Sequence, residues 1–235
     1  PISFCEGGSV TLTSSTATSY LWSTGATAKS INVNTSGNYT VTVSNVNGCT
    51  ATSLATTVTV NPNPAPVITP SHSPVNLCPG TTDTLDAGSG YATYLWSNGQ
   101  TTASINVNPT ITTTYTVTVT DSKGCTGTDQ VVITVNPKPS VALGPDQEIC
   151  AGSSATLTAA PSGGTPTYTY AWNTGETTIS ITASPVATAT YTVTLTDSKG
   201  CTAQDNAVVK VNPNPIANAG PDQEICAGFS ANLSA

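Results

Sequence analysis

Charge is nearly missing from this sequence. Only 7% of its 235 residues are Asp, Glu, Lys or Arg; there is no Arg and no Met, and five Lys face twelve acids. A nucleic-acid partner needs a basic face to neutralise phosphate, and an anionic membrane surface needs a basic cluster; neither is here. No apolar run approaches the roughly 18 residues that a membrane-spanning helix requires, so membrane insertion is not expected. Helical periodicity is missing throughout. The single His, His72, cannot complete a zinc set, and no Cys-x-x-Cys pair occurs. A Ser/His/Asp triad would have to use His72, which sits among Pro and Ser and reads as linker. Asp121 and Asp197 read as turn residues rather than paired acids. Asp146 and Asp222, in Gly-Pro-Asp-Gln-Glu, are weak candidates for Ca²⁺ at a domain junction. The Gly-rich stretches lack the Lys and helix start of a phosphate loop. No catalytic residue, no resident metal and no cofactor are therefore expected, and the chain does not read as an enzyme.

What is present is repetition. Tyr20–Gly25, Tyr94–Gly99 and Tyr170–Gly175 are variants of one phrase, and their Trp22, Trp96 and Trp172 lie 74 and 76 residues apart. A fixed period of that size marks a tandem array. Each phrase reads as an alternating strand, Tyr and Trp on one face, running into a Gly turn. One large aromatic per unit is best placed as the plug of a small β-sandwich core; a Trp platform for sugars is the lesser reading. The next landmark is a strand of strict alternation, Tyr115–Thr120, with counterparts headed by Tyr39 and Tyr191. Those three Tyr sit where a tyrosine corner would and read as core. Turns follow at Asn47-Gly48, Asp121–Gly124 and Asp197–Gly200, and each unit closes on a Val-rich strand into Asn-Pro.

About seven short strands per unit predict an all-β fold of tandem immunoglobulin-like sandwiches set as an extended rod. The expected boundaries are 1–62 for a first domain lacking its opening strand, 63–137 for the second and 138–213 for the third. Residues 214–235 would be the opening strands of a fourth, incomplete domain: Gly220–Gly228 copies Gly144–Gly152 letter for letter. The sequence starts at Pro1 without Met and stops within a repeat, so it reads as a window from a longer protein. Pro-dense spacers such as Asn61–Pro66 would act as stiff joints. So little charge in a β-rich chain is an aggregation hazard, and short or covered edges are expected.

The series Cys-x-Gly, Thr-Leu-Thr, Trp-Ser-x-Gly, Tyr-Thr-Val-Thr-Val, Gly-Cys-Thr and Val-Asn-Pro resembles the PKD-like, immunoglobulin-like repeats of very large surface proteins. Those occur in bacteria of the gliding, type IX secretion kind. The resemblance covers nearly the whole chain, and it implies fold far more firmly than function. It departs at one place: the Trp-Asp-Phe-Gly-Asp-Gly turn typical of PKD domains is replaced by Trp-Ser/Asn-x-Gly. It implies an extracellular, cell-surface location and a structural role as stalk, fibre or adhesive arm. The partners expected are neighbouring repeats of the same chain, or neighbouring copies in a filament, with a glycan or surface protein as the alternative. On that second reading, sandwich-end loops or tyrosines such as Tyr91 and Tyr168 would bind. Asn34, Asn38 and Asn232 have the sequon form, and Asp83–Leu85 resembles a short O-glycosylation acceptor of such bacteria, although it falls on a predicted strand.

Seven cysteines, Cys5, Cys49, Cys78, Cys125, Cys150, Cys201 and Cys226, give two per unit and one in the remnant. In a secreted array of small cores they read as disulfides. Pairing within units would join Cys5 to Cys49, Cys78 to Cys125 and Cys150 to Cys201. Yet in an immunoglobulin-type sandwich the first and second Cys of a unit fall at opposite ends. A strand of seven residues separates those ends by ~23 Å, whereas a disulfide tolerates only ~7 Å between Cα atoms. The other scheme staples consecutive units, Cys5 to Cys125 and Cys78 to Cys201, leaving Cys49, Cys150 and Cys226 for further domains. Both schemes stand at this point.

Overall fold

The computed structural model describes residues 2–72 and 76–232. Its ordered elements are all β-strands; no helix occurs among the described residues, hence none long and apolar enough to cross a membrane. The chain divides into two compact units, Pro1–Val135 and Asn136–Ala235.

The first unit holds two sandwiches. In repeat 1 the strands are β1 (Ile2–Cys5), β2 (Val10–Thr13), β3 (Ser19–Trp22), β4 (Ser30–Val33), β5 (Gly37–Tyr39), β6 (Val41–Ser44), β7 (Thr50–Thr52) and β8 (Thr56–Asn61). β2 pairs with β4, β3 pairs with β6 and β6 with β7, while β1 lies parallel to β8. Repeat 2 comprises β9 (Thr69–Pro70), β10 (Asn76–Leu77), β11 (Asp83–Asp86), β12 (Thr93–Trp96), β13 (Ser104–Val107), β14 (Thr113–Thr120) and β15 (Thr126–Val135). Its two sheets have the orders β10-β15-β14-β12 and β13-β11-β9. Seven strands in two sheets, with a parallel first-to-last pair, make an immunoglobulin-like sandwich.

The second unit repeats this plan with β16 (Pro139–Ala142), β17 (Gln147–Cys150), β18 (Ala155–Thr158), β19 (Ala160–Gly163), β20 (Thr169–Trp172), β21 (Ser180–Ala183), β22 (Ala189–Thr196) and β23 (Thr202–Asn212). β17-β23-β22-β20 form one sheet; β18 pairs with β21 and β16 with β19 opposite. The described residues after Asn212 form no strand.

Alternation builds each core. Along β14, Tyr115, Val117 and Val119 are buried while the intervening Thr are not, and β22 does the same with Tyr191, Val193 and Leu195. Trp22, Trp96 and Trp172 are buried at the centres of the three cores. Each indole N–H donates to a carbonyl six residues on: Ala28, Thr102 and Thr178, at 2.8, 2.9 and 2.9 Å. Each Trp then closes a tight turn by accepting the N–H of a glycine in the left-handed region, Gly25, Gly99 or Gly175. The residue after the Trp explains the departure from the PKD turn. Ser23 Oγ, Ser97 Oγ and Asn173 Oδ1 accept the N–H of Thr40, Thr116 and Thr192 on the neighbouring strand. A short acceptor is what that position uses here.

Candidate functional site: the repeat junction

The strongest site-like feature is the joint between repeats 1 and 2. Because β1 runs parallel to β8, its end, Cys5, sits opposite Asn61, where the chain leaves the sandwich. The N–H of Glu6 donates to Asn61 O (2.8 Å), and Asn63 Nδ2 returns a bond to Glu6 O (3.2 Å). The spacer is thereby tied to the sandwich it leaves. It next runs onto repeat 2, where Pro66 and Ile68 are buried. There the N–H of Ile68 donates to Asp129 Oδ2 at 2.7 Å. A Cβ added to Gly127 would lie 1.8 Å from the carbonyl oxygen of Pro64, so the spacer rests directly on β15.

A disulfide closes the joint. Cys5 and Cys125 are bonded, with their Cα atoms 5.4 Å apart. Cys125 is presented by the β14–β15 turn. Asp121 Oδ1 accepts the N–H groups of Lys123 and Cys125 at 2.9 and 2.8 Å, and Gly124 takes a φ of 84°. Asn45 does the same in repeat 1 for Asn47 and Cys49, and Asp197 in the second unit for Lys199 and Cys201. Asp197 also accepts Thr165 N–H; burial pushes its carboxyl up, but the N–H groups of Thr165, Cys201 and Lys199 outweigh it and hold the group below the ordinary aspartate range.

Pairing within units is thus corrected. Cys5 is bonded to Cys125, not Cys49, and Cys125 is therefore not bonded to Cys78; Cys150 is free while Cys201 is disulfide-bonded. The reason is strand length. β10 pairs with the last residues of β15, so Cys78 lies beyond the end of a ten-residue strand that Cys125 precedes. That separates them by roughly 30 Å. Cys78 and Cys201 are both disulfide-bonded. Cys49, Cys150 and Cys226 carry free, exposed thiols, so the expected set of seven bonded cysteines reduces to four, and the free three are the ones that the staple scheme leaves for further domains.

The second unit prepares an equivalent exit. β17 lies parallel to β23 with Cys150 opposite Asn212; the N–H of Ala151 donates to Asn212 O (2.9 Å), and Asn214 Nδ2 donates to Ala151 O (3.1 Å). Leu143 N–H donates to Asp205 Oδ2 at 2.8 Å, the counterpart of the Ile68 and Asp129 bond. Glu148 pairs with Asn212 and Lys210, which hold its exposed carboxyl below the usual range.

Residues weighed for chemistry have structural partners. His72 Nδ1 lies 3.0 Å from Asp83 Oδ1, and Ser71 Oγ donates to that same oxygen. Ser and His converge on one acceptor, whereas a triad sets the imidazole between hydroxyl and carboxylate. Asp83 is buried, which raises its affinity for a proton; bonds from Ser71, His72 and the Thr84 N–H outweigh this and lower its pKa. Nothing in the sequence flagged Asp83 except its alternation with Leu85. Asp146 Oδ1 accepts the N–H of Val208 (2.8 Å), and Asp222 lies in the exposed stretch after repeat 3. Tyr91 is half-buried edge-on against Tyr94, and Tyr168 donates to Gly163 O at 2.6 Å. Tyr39, Tyr115 and Tyr191 are buried, and Tyr39 donates to Thr35 O (2.9 Å). Thr84 donates to Asn106 Oδ1 on the neighbouring strand.

Comparison with known proteins gives one family match: the SprB repeat, over residues 145–177. No curated protein matches. Among solved structures, titin domains I67–I69 (an E-to-A variant) share 15% identity over 91% of this chain and 95% of theirs, with a TM-score of 0.44. Three N-terminal domains of the highly immunogenic outer capsid protein (Hoc) of bacteriophage RB49 share 14% over 90% and 96% (TM-score 0.41). Sidekick-1 immunoglobulin domains 1–4 share 15% over 90% and 73% (TM-score 0.32).

Proposed function

We propose that this chain is an extracellular structural repeat region, a stiff stalk or fibre of a bacterial cell-surface adhesin, that carries load and performs no catalysis. The observation that carries the reading is the Cys5–Cys125 bond, which joins one sandwich to the next across a spacer already held on both sides. A protein built only to bind at loop tips has no need to fix its joints covalently. The SprB-repeat match within 145–177 supports a surface role of this kind. Tyr91 and Tyr168, the tyrosines a binding reading would use, are occupied by intramolecular contacts, which favours the stalk.

Single-molecule extension tests it. The bond spans 120 residues of sequence, so pulling the chain by its ends leaves that length folded into a covalent loop until it is reduced. Reduction is expected to release roughly 400 Å of further extension, at up to ~3.6 Å per residue. If the force–extension record is the same before and after reduction, the joint bears no load and the stalk reading fails.

A further inference from the structure

Repeats 2 and 3 each fill one side of their sandwich with the segment that precedes the first cysteine. In repeat 2, Pro66 and Ile68 point inward and β9 pairs antiparallel with β11. In repeat 3, Pro139 and Leu143 are buried and β16 pairs antiparallel with β19. In repeat 1 the same side is an open groove of about 530 Å³, lined by Leu12, Trp22, Tyr39, Val41, Val43 and Ser53 among others. Leu12 is the counterpart of the fully buried Leu85 and Leu157, and Ser53 stands where Asp129 and Asp205 accept an N–H. The opening continues along β7, all of whose residues are exposed, to Val46 and Cys49. That is the face which Pro64 crosses in repeat 2.

A matching filler exists elsewhere in the sequence. Residues 215–219 align with 139–143, placing Pro215, Ala217 and Ala219 at the inward positions of Pro139, Val141 and Leu143. All five are exposed and belong to no strand, Ile216 at 94%. Their small side chains suit the groove, because Ala51 occupies the place that Gly127 leaves bare in repeat 2.

We propose that the groove of repeat 1 takes residues 215–219 of a second copy of this chain as a β-strand, antiparallel to β2, so that copies join head to tail. It rests on the stalk reading and names the partner of the array. Backbone bonds along the free edge of β2 give the strand its hold, and the inward side chains set its register. Repeat 3 of one copy then stands to repeat 1 of the next as repeat 1 stands to repeat 2. In that relation the counterparts of the bonded Cys5 and Cys125 are Cys150 and Cys49, both free and exposed. Exchange with a small-molecule disulfide joins them: the two thiols lose two protons and two electrons, one S–S bond forms, and the reagent leaves as two thiols.

The test uses the 235-residue chain incubated with glutathione disulfide, analysed by sedimentation and by mass spectrometry of non-reduced peptides. Head-to-tail oligomers carrying a Cys49–Cys150 linked peptide are expected. Ala217→Asp would bury an unpaired carboxylate in the groove and should cut the linked fraction roughly tenfold or more. Tryptophan fluorescence and the Cys5–Cys125 bond of that variant should stay as in the parent, since residue 217 is in no strand of the single chain. A chain that remains monomeric, a Cys49–Cys49 peptide instead, or undiminished linkage in Ala217→Asp would each overturn the strand joint. A monomer that still lengthens on reduction under load would leave the stalk reading standing.

Discussion

The carbonyl oxygen of Pro64 occupies space that any side chain on Gly127 would need: a Cβ there would meet it at 1.8 Å, and the Pro66 ring at 3.3 Å. The glycine is required by approach, not by backbone conformation. Gly127→Ala should therefore push the spacer off β15, at a cost of about 1–3 kcal/mol, the usual range for overpacking. Urea unfolding would show the lowered midpoint, and limited proteolysis would show new cleavage near Pro62–Ala65. An unchanged midpoint with an intact spacer would mean that the contact is not held in solution.

Asp129 should matter more than its half-exposed position suggests, since its Oδ2 takes the N–H of Ile68 where the spacer enters repeat 2. Asp129→Ala leaves that N–H without an acceptor, a loss of about 1–3 kcal/mol. Asp129→Asn keeps one oxygen and should lose less. Asp205, bonded to Leu143 N–H, should give the same ordering in the second unit. Equal effects of Ala and Asn would indicate that the loss comes from charge and not from the missing acceptor. Hydrogen exchange at Ile68 and Leu143 reads the bond directly.

Much of this architecture could be read from residue order alone. Alternation fixed which of Tyr115–Thr120 face inward, and one Trp per period located the cores. Cysteine pairing could not be chosen from residue order alone, because it depends on which sandwich end each thiol occupies, and that follows from the parallel pairing of β1 with β8. Asp129 and Gly127 were equally invisible: their partners, Ile68 and Pro64, lie about sixty residues away in sequence and act through main-chain atoms, which leave no side-chain signature. Repeat 1 hid one more feature. It has one residue more between Cys49 and Asn61 than repeat 2 has between Cys125 and Asn136, and its last strand is broken into β7 and β8 with Leu54 fully out in solvent. An extra residue shifts alternation by one face, so the chain bulges to restore it.

The Trp plug can be divided into area and hydrogen bond. Trp96→Phe keeps most of the buried ring but leaves Thr102 O without the indole N–H. The expected loss is about 1–3 kcal/mol, the cost of an orphaned buried acceptor, against ~3–5 kcal/mol for Trp96→Ala, which also opens a cavity. Trp172→Phe should match Trp96→Phe, because its bond to Thr178 O is equivalent. Trp22→Phe should lose less, since the open groove beside Trp22 lets water reach the freed carbonyl. Thermal unfolding of the three Phe variants gives the ranking; a Trp22→Phe loss as large as the others would show the groove to be closed in solution.

Acid should unfold the second unit through Asp197. Its carboxylate accepts N–H groups from Thr165, Lys199 and Cys201, and the folded pKa lies below the unfolded one. A depressed carboxyl stabilises the fold above its unfolded pKa, near 3.9, and that stabilisation is lost as pH falls through the lower, folded value. Stability should thus be flat from neutral pH down to about 4 and drop below it. Asn45 performs the same turn in repeat 1 with an amide oxygen, so Asp197→Asn should still fold. Its amide nitrogen would face the Thr165 N–H, donor against donor, so the variant should be weaker at neutral pH and lack the Asp197 share of the acid loss. Unfolding midpoints measured from pH 7 to pH 2 would decide: parent and Asp197→Asn curves that fall in parallel below pH 4 would remove Asp197 as the cause.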